Sequence, residues 1–490
     1  MQNIPSISQT TSDILQSLPY LKSEWIIVIG FLLVIVTDLF SKNSKNIIAG
    51  LAALTLIISG AVLLNELYAF ESNKFLFNGM FVFSKSALQF KILVVAASLF
   101  SLLFFYQDDR LQNHPKGIND FISIFLAGTL GLFLLISSAN LLMLYLSVEM
   151  ISLVSYLMVA YNAYQKKEAE ASMKYVLFGT VSSAIMLYGI SLIYGFTGTI
   201  NLYNEVMLEG LSQTANIPAY LAVIMVLAGI SFKLSAVPFH FWTPDAYEAA
   251  PTSVVSFLAT APKIAVFGFL YYLIPSFQNG DVFNQFILAV AATSMILGNV
   301  IAVFQNDAKR MMAYSAIGHT GFILMLFVLP QAIILKSLLC YLAIYSIANI
   351  GTFMSLASIE NSYGFTKIAE LKGLGKNIPT LAVALVLLLV SLIGLPPTAG
   401  FIAKFVVFSI LLSVGLSQPY ITVLLIVAAF TTVISLFYYL KIPLNLFLKK
   451  SDLNIPIIYG RKNLRIYIIL LAVLTLLLGL FPSILNYFTL

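Results

Sequence analysis

The chain has 490 residues, of which 60% are hydrophobic and only 9% are charged, and its net charge is +6. Soluble domains carry about 25% charged residues, so this composition excludes a soluble globular protein and indicates an all-α, polytopic membrane protein. No basic block interleaved with aromatic residues occurs outside the apolar runs. The basic excess is therefore expected to orient loops and contact lipid headgroups rather than nucleic acid.

Residues 1–22 are polar and lack the apolar core and cleavage site of a signal peptide, so the first apolar span is expected to be retained. Apolar runs of about 20 residues predict fourteen membrane-spanning helices and no β-strands. The predicted spans are Trp25–Phe40, Ile47–Asn65, Phe90–Tyr106, two spans within Phe121–Ala160 that are divided near Ser138, Ser172–Phe196, Ala219–His240, Thr252–Leu273, Phe283–Phe304, Met311–Leu329, Ile333–Ser358, Leu381–Leu412, Ile421–Leu440 and Ile466–Phe481.

Lysine and arginine are concentrated in the loops that follow odd-numbered spans. The positive-inside rule then places these loops in the cytoplasm and both chain termini on the opposite, periplasmic side. The same count suggests four segments: residues 1–118 with three spans, 119–275 and 276–445 with five each, and 446–490 with the last span.

Two spans, the seventh and the twelfth, contain proline close to an intramembrane lysine. Pro238 follows Lys233 by five residues, and Pro396 and Pro397 precede Lys404. Proline inside a helix removes a backbone hydrogen bond, which in lipid is tolerated only where protein or water satisfies the freed group. An ordinary kink is the alternative for each proline taken alone. Because both prolines lie beside a lysine, discontinuous helices are favoured.

The two interrupted spans are five positions apart in the series. An odd offset means that equivalent helices cross the membrane in opposite directions, as in inverted repeats. We therefore expect spans four to eight and spans nine to thirteen to form two inverted five-helix repeats. Their half-helix ends should point at a site near the middle of the membrane.

Four charged residues lie deep within apolar spans: Glu149, Lys233, Lys263 and Lys404. Each costs roughly 2.5–3.5 kcal/mol at the membrane centre on insertion scales, so such residues are usually functional. A buried lysine changes protonation state readily, and a nearby carboxylate opposes loss of its proton. We expect these four residues to form a proton relay. The alternatives are a structurally paired carboxylate for Glu149 and lysines that extend to the membrane surface.

Two histidines are further candidates for the relay, because histidine titrates near neutral pH. His240 follows the break in the seventh span and could carry protons between Lys233 and Lys263, while His319 lies in the tenth span. A buried histidine with satisfied hydrogen bonds is the alternative for both.

No cofactor or metal is expected in this chain. It has one cysteine, Cys340, and three histidines without an HExxH pattern, which argues against iron–sulfur clusters and zinc. The GLGK segment that ends at Lys376 lacks the spacing of a phosphate-binding loop. Any coupled redox chemistry must take place in another subunit.

Three segments carry a resemblance to a known family: SFKLSAVPFHFWTPDAYEAAPTSVVSFLATAPKIAVF, NDAKRMMAYSAIGHTGF and GLPPTAGFIAKF. They closely resemble the antiporter-like membrane-arm subunits of NADH–quinone oxidoreductase (respiratory complex I), over spans four to thirteen. The resemblance implies a bacterial inner-membrane subunit that conducts protons, with Glu149, Lys233, Lys263 and Lys404 as channel residues and His240 on the connecting path. It implies other membrane-arm subunits as partners, and it implies that NADH, FMN, iron–sulfur clusters and quinone are bound elsewhere in the complex.

Within that family the chain looks most like subunit N. Lys404 stands where subunit M carries glutamate, Tyr247 stands near a usual histidine of subunits L and M, and no long lateral helix follows the last span. The alternative function is a cation/proton antiporter, alone or in a complex, that uses the same residues for exchange. A purely structural membrane scaffold would require all four buried charges to be incidental.

Overall fold

The structure of the chain is a computed structural model that describes residues 7–40, 45–115, 117–164, 166–214, 216–277, 281–415, 418–450 and 460–484. The chain termini, whose orientation the loop charges predict, and part of the predicted C-terminal loop lie outside the described residues. The helices are α1 (Ile7–Ser17), α2 (Lys22–Phe40), α3 (Lys45–Tyr68), α4 (Lys85–Gln107), α5 (Asp109–Gln112), α6 (Asn119–Ser137), α7 (Leu141–Ala160), α8 (Lys166–Thr197), α9 (Glu205–Gln213), α10 (Asn216–Lys233), α11 (Trp242–Ala249), α12 (Thr252–Phe277), α13 (Asp281–Val303), α14 (Ala308–Leu324), α15 (Gln331–Tyr363), α16 (Pro379–Ile393), α17 (Ala399–Gly415), α18 (Pro419–Pro443) and α19 (Lys462–Leu480).

The prediction of a predominantly helical membrane protein is confirmed. Within the described residues, thirteen helical segments are long and apolar enough to cross a membrane. The shorter apolar helices α16 and α17 divide the predicted twelfth span between them. The inverted relation of the two repeats and the segment boundaries stay predictions.

The expectation that the chain has no strands is wrong. Two short strands, β1 (Lys74–Leu76) and β2 (Phe81–Phe83), form an antiparallel hairpin between α3 and α4. Three residues are too few to show the alternation that marks a strand in a sequence. The turn, however, carries Asn78-Gly79, a dipeptide typical of hairpins, and both residues have positive φ.

The hairpin identifies one end of the bundle, which we call the hairpin end. Asn78 N–H donates to the Asp13 carboxylate at 2.8 Å, which brings α1 to this end. Ala139 N–H donates to the Met80 carbonyl at 2.9 Å, which places the α6–α7 turn there as well. The other end, at which α4 finishes and α12 begins, is called the opposite end.

The seventh predicted span breaks earlier than its apolar run suggested. Helix α10 ends at Lys233, and helical structure resumes only at Trp242. Sequence reasoning placed Lys233 away from both span ends, and this is corrected: Lys233 is the last residue of its half-helix. Protein groups satisfy the freed backbone, since Val237 N–H donates to Ser294 Oγ at 2.9 Å and the Phe232 carbonyl accepts from the Trp242 indole at 3.1 Å.

The twelfth predicted span breaks between Ile393 and Ala399. Gly394 ends α16 in the left-handed conformation, with φ of 87°, and its N–H donates to the Val390 carbonyl at 3.0 Å. Gly400 N–H then donates to Ser391 Oγ at 3.1 Å, which fastens the start of α17 against the end of α16.

Helices α12 and α14 lie at the centre of the bundle. The apolar segment of α12 is completely buried and that of α14 almost so, whereas α2, α3, α18 and α19 each bury only about a third of theirs. Lys263 in α12 and His319 in α14 are therefore enclosed by protein. Neither can extend to the membrane surface.

Gly400 permits the closest approach at the second break. A methyl group at this position would come within 1.6 Å of the Ser391 carbonyl oxygen, so α16 and α17 would have to separate. We expect Gly400→Ala to lower the free energy of unfolding by about 1–3 kcal/mol, the usual cost of overpacking. Gly195→Ala in α8 is the matched control, because nothing lies within 4 Å of the added methyl. The measurement is the unfolding midpoint of the purified chain in detergent, and equal midpoints for the two variants would contradict the expectation.

Candidate functional site

All three predicted relay lysines are buried within the bundle. Lys233 is 8% exposed, Lys263 is 1% exposed and Lys404 is 8% exposed. The alternative that they extend to the membrane surface is therefore not supported. Each ammonium group has to be stabilised by its protein surroundings, and the three surroundings differ.

Lys233 is surrounded by aromatic rings. Its Nζ lies 5.4 Å from the ring centre of Tyr156, 5.9 Å from that of Tyr175 and 5.8 Å from that of Phe232. Cation–π attraction and the negative C-terminal end of α10 both favour a positive charge here. In the described part of the chain, Lys233 Nζ has no hydrogen-bond partner. The ammonium group of Lys233 is therefore stabilised by the rings and the helix end, without a hydrogen-bond acceptor among the described residues.

Glu149 lies in α7 and is partly buried. Its Oε1 atom is buried and, among the described residues, has no hydrogen-bond partner. Glu149 and Lys233 form no direct ion pair, but the carboxylate is close enough to interact electrostatically with Lys233. The structurally paired carboxylate considered from the sequence is therefore not observed within the described residues.

Lys263 is held by two oxygen acceptors on α14. Its Nζ donates to the Ala316 carbonyl at 2.9 Å and to Thr320 Oγ1 at 2.8 Å. The Thr320 hydroxyl lies 3.0 Å from the Leu234 carbonyl, the first residue after Lys233. Thr320 thus connects Lys263 to the first helix break.

Sequence reasoning did not single out Thr320. A signal was present, because Thr320 follows His319 directly in the GHTGF motif. Its partner Leu234, by contrast, is 86 residues away in the sequence and becomes a neighbour only in the fold.

His240 lies within the first break, between the end of α10 and the start of α11. It is buried and stacks on Phe241, with ring centres 4.7 Å apart. Its Nδ1 atom has no hydrogen-bond partner in the described structure, and no hydrogen bond described here joins it to Lys233 or Lys263. The hydrogen-bonded connection between that break and Lys263 runs through Thr320 instead.

His319 is held between two tyrosines from other helices. Nδ1 lies 2.8 Å from the Tyr341 hydroxyl of α15, and Nε2 lies 3.1 Å from the Tyr439 hydroxyl of α18. A neutral imidazole donates from one nitrogen and accepts at the other, so either tautomer satisfies both contacts. The Tyr439 hydroxyl also bonds to Ser315 Oγ. Both ring nitrogens therefore belong to a continuous hydroxyl network.

Lys404 is stabilised by the second helix break. Its Nζ donates to the carbonyl of Ile393, the last residue of α16, at 2.7 Å, and it lies 5.6 Å from the Phe322 ring centre. The C-terminal end of a helix carries unsatisfied carbonyls and partial negative charge, which suits an ammonium group. Both lysines are therefore associated with the C-terminal end of the first half-helix of a break: Lys233 is the last residue of α10, and Lys404 reaches from α17 to the last residue of α16.

Two cavities meet at His319 and Lys404. One has a volume of about 20 Å³, room for about one water molecule, and its lining includes Asn299, Thr431 and Ser435. The other has a volume of about 10 Å³ and a mostly apolar lining. His319, Tyr341 and Lys404 line both. A water molecule in the first cavity can bridge the polar side chains that line it. The geometry can therefore connect the imidazole to the lysine through water.

The half-helix α11 is fastened to its neighbours by ion pairs at the opposite end. Asp245 accepts from Arg310 of α14 at 2.8 Å and from Lys174 of α8 at 3.0 Å. Glu248 accepts from Arg310 at 2.8 Å and from Lys167 at 2.5 Å. These two carboxylates therefore join the first break to α14, the helix that carries His319.

Within the described ranges, no group of three or more histidine, cysteine, aspartate or glutamate side chains is placed to hold a metal ion.

Comparison with known proteins agrees with this architecture. Residues 138–435 match the family described as "NADH:quinone oxidoreductase/Mrp antiporter, TM". NADH-quinone oxidoreductase subunit N 2 of Chloroherpeton thalassium is 39% identical over 436 residues, which cover 86% of this chain and 84% of that protein.

Two solved structures share the fold. A chain of respiratory complex I from Thermus thermophilus superimposes with a TM-score of 0.78 at 27% identity and covers 95% of this chain and 98% of that chain. A chain of the Mrp complex from Dietzia superimposes with a TM-score of 0.80 at 21% identity, over 96% of each chain, which supports the fold alone.

The fold and the matched region define an antiporter-like membrane protein. Within that class, the chain belongs to the NADH-quinone oxidoreductase subunit N family, as the sequence motifs predicted.

The ion pairs of α11 predict a pH-dependent contribution to stability. Burial raises the pKa of Asp245, but hydrogen bonds from Lys174 and Arg310 outweigh this and hold the pKa below its usual value. A carboxyl whose pKa is lowered by folding stabilises the folded state above its unfolded pKa, and this stabilisation is lost as the pH falls through the folded pKa. We expect Asp245→Asn to lower the free energy of unfolding at neutral pH by about 1 kcal/mol, because both partners are partly exposed.

The difference between Asp245→Asn and the unchanged protein should shrink as the pH falls below about 4, where the aspartate itself is protonated. Denaturant midpoints at a series of pH values measure this. Glu71→Gln, at an exposed carboxylate near the hairpin end, serves as control. A penalty for Asp245→Asn that stays constant down to the lowest pH would show that the ion pairs are not its cause.

Proposed function

We propose that the chain is the proton-translocating subunit N of a membrane NADH–quinone oxidoreductase, with Glu149, Lys233, Lys263, His319 and Lys404 as its proton relay. The observation that carries this proposal is the arrangement of three buried lysines around two helix breaks, with hydrogen bonds leading from the first break to Lys263. The subunit N relatives support the place of the chain in such a complex.

The first step couples Glu149 to Lys233. Two unit charges 4 Å apart interact by about 4 kcal/mol at an effective dielectric constant of 20, and proportionally less at larger separations. Because Lys233 has no hydrogen-bond acceptor in the described structure, its charge depends on such remote interactions and on the surrounding rings. A change in the charge or position of Glu149 therefore makes Lys233 hold or release its proton.

The second step transfers a proton between the first break and Lys263. The hydroxyl of Thr320 accepts from Lys263 and can donate toward the Leu234 carbonyl. A hydroxyl that both accepts and donates can pass a proton by rotating between its partners. A water molecule between this hydroxyl and Lys233 would complete the connection. His240 lies in the same break, between Lys233 and Trp242.

The third step leads from Lys263 to Lys404 by way of His319. The imidazole is close enough to interact electrostatically with both lysines. It also lines the same two small cavities as Lys404. Sequence analysis included His319 in the relay without assigning it to a particular step, and we place it in this third step. Lys404 is the terminal group, bonded to the end of α16.

Electron transfer from NADH to quinone takes place in partner subunits, which hold the FMN, iron–sulfur clusters and quinone. Quinone reduction there changes the charge at Glu149, and the change is passed from lysine to lysine. The chain lies in the bacterial inner membrane with both termini on the periplasmic side, so the hairpin end faces the periplasm. A cation/proton antiporter is the second candidate, but the curated relatives at 30% identity or more favour the oxidoreductase.

Replacing Lys263 should stop proton transfer through this subunit. Lys263→Met keeps a long apolar side chain in the buried site and removes the ammonium group. We expect fewer protons pumped per NADH oxidised by the assembled complex in proteoliposomes. Lys336→Met, at an exposed lysine of α15, should pump normally.

Assembly of the Lys263→Met complex is checked on a native gel stained for NADH dehydrogenase activity. Normal pumping by a fully assembled Lys263→Met complex would rule out the relay. Absence of the chain from any particle with that activity would instead favour the antiporter.

Thr320 offers a finer test of the path. Thr320→Val keeps the shape of the side chain but removes one of the two acceptors of Lys263. A lost hydrogen bond to a charged group is worth about 1.5–3 kcal/mol, so proton transfer should slow by tenfold or more. The initial rate of NADH-driven proton uptake measures this effect.

Thr320→Ser keeps the hydroxyl and should retain the rate. Thr293→Val is a further control, because that hydroxyl bonds only within its own helix. Equal rates for Thr320→Val and Thr320→Ser would exclude the hydroxyl from the path.

A further inference from the structure

A second group of buried charges lies outside the relay, among α2, α3 and α4. Glu24 is 4% exposed, Glu66 is 8% exposed and Lys91 is 3% exposed. Sequence reasoning singled out none of them, because each lies within two turns of the end of its helix, where charged residues are usually solvated.

Glu24 and Lys91 form an ion pair with an N–O distance of 2.5 Å. The second oxygen of Glu24 accepts from Ser23 Oγ at 2.8 Å. Lys91 also lies 5.8 Å from the ring centre of Phe133, on α6, so the pair is enclosed on that side by an apolar surface. Glu24 therefore already uses the positive charge of Lys91.

Glu66 has no such partner. Its Oε2 atom is buried and, in the described structure, accepts no hydrogen bond. The charged groups that act on it are Lys91, Glu24 and Lys22, and of these Lys22 is exposed. If both carboxylates were ionised, the buried group would contain two negative charges against one positive charge.

An uncompensated buried charge is costly, and a group in this position usually binds a proton instead. One additional bound proton makes the three residues neutral as a group. The carboxylate of Glu66 is best placed to accept this proton. Both carboxylate oxygens of Glu24 already accept a hydrogen bond, one from Lys91 and one from Ser23.

The group lies close to the hairpin end, where loops form the surface of the bundle. Glu66 is two residues from the end of α3, and Glu24 is two residues from the start of α2. Phe77 N–H in the hairpin turn donates to Ser17 Oγ at 3.0 Å, which places the start of α2 beside the hairpin. A proton can therefore exchange with the solvent at this end without passing through the bundle.

We propose that Glu24, Glu66 and Lys91 form a second proton-binding site, separate from the lysine relay, which holds one exchangeable proton on Glu66 at the hairpin end of α2, α3 and α4. The proposal concerns proton binding by this chain alone and is independent of the proposed function, so the failure of one leaves the other standing.

Infrared titration of the full-length chain in lipid nanodiscs tests the proposal through the absorption of protonated carboxyl groups. In the unchanged chain, one carboxyl component should persist at neutral pH and disappear as the pH rises. Glu66→Gln should abolish this component. Glu71→Gln, at the exposed carboxylate nearby, should leave it intact. Superimposable titrations of Glu66→Gln and the unchanged chain would overturn the proposal.

A second variant tests the charge balance without altering Glu66. In Glu24→Gln, one carboxylate and one ammonium group remain, so Glu66 should ionise and the neutral-pH component should vanish. Lys91→Met should have the reverse effect and add a second protonated carboxyl, while Lys91→Arg should match the unchanged chain. If the neutral-pH carboxyl absorption survives in Glu24→Gln, Glu24 and Lys91 form only a structural ion pair and do not control the proton on Glu66. Circular dichroism confirms that each variant is folded.

Discussion

An ammonium group inside a helical bundle needs electron-rich partners from the protein, because hydrocarbon offers none. Lys404 obtains its partner from the unsatisfied carbonyl of Ile393, and Lys263 from Ala316 and Thr320. Lys233 has only the faces of aromatic rings and the end of α10. The ammonium groups of Lys263, Lys404 and Lys233 thus make two, one and no hydrogen bonds within the described residues. A graded series of this kind suits groups that must exchange a proton at different steps.

The helix breaks supply these partners and must themselves be stabilised. An interrupted helix exposes backbone groups, which in lipid cost several kcal/mol each unless protein or water satisfies them. Ser294 and Trp242 serve the first break, and Ser391 serves the second. Ion pairs from Asp245 and Glu248 hold α11 against α8 and α14. The conformation around Lys233 is therefore fixed by contacts at the opposite end of the bundle.

The central path and the group around Glu66 obey the same electrostatic rule in different ways. Along the path, the positive charges are separated: Lys263 and Lys404 donate to neutral oxygens, and Lys233 lies among aromatic rings. Around Glu66, two carboxylates compete for one lysine. In both places the low dielectric makes the protonation state of one residue depend on its neighbours.

The sequence by itself determined the class of protein, the helical spans, the presence of both breaks and the identity of the four buried charges of the relay. Each of these follows from local composition: long apolar runs, prolines within them and the high cost of a charge in hydrocarbon. Only the tertiary structure decided which groups meet. Thr320 bonds to Leu234, Tyr341 and Tyr439 hold His319, and His240 stacks on Phe241. Lys233 proved to be a helix end, and the Asn78-Gly79 turn proved to be a hairpin. The physical reason is that hydrogen bonds between distant helices depend on how those helices pack, and no periodicity within one span records the face of another.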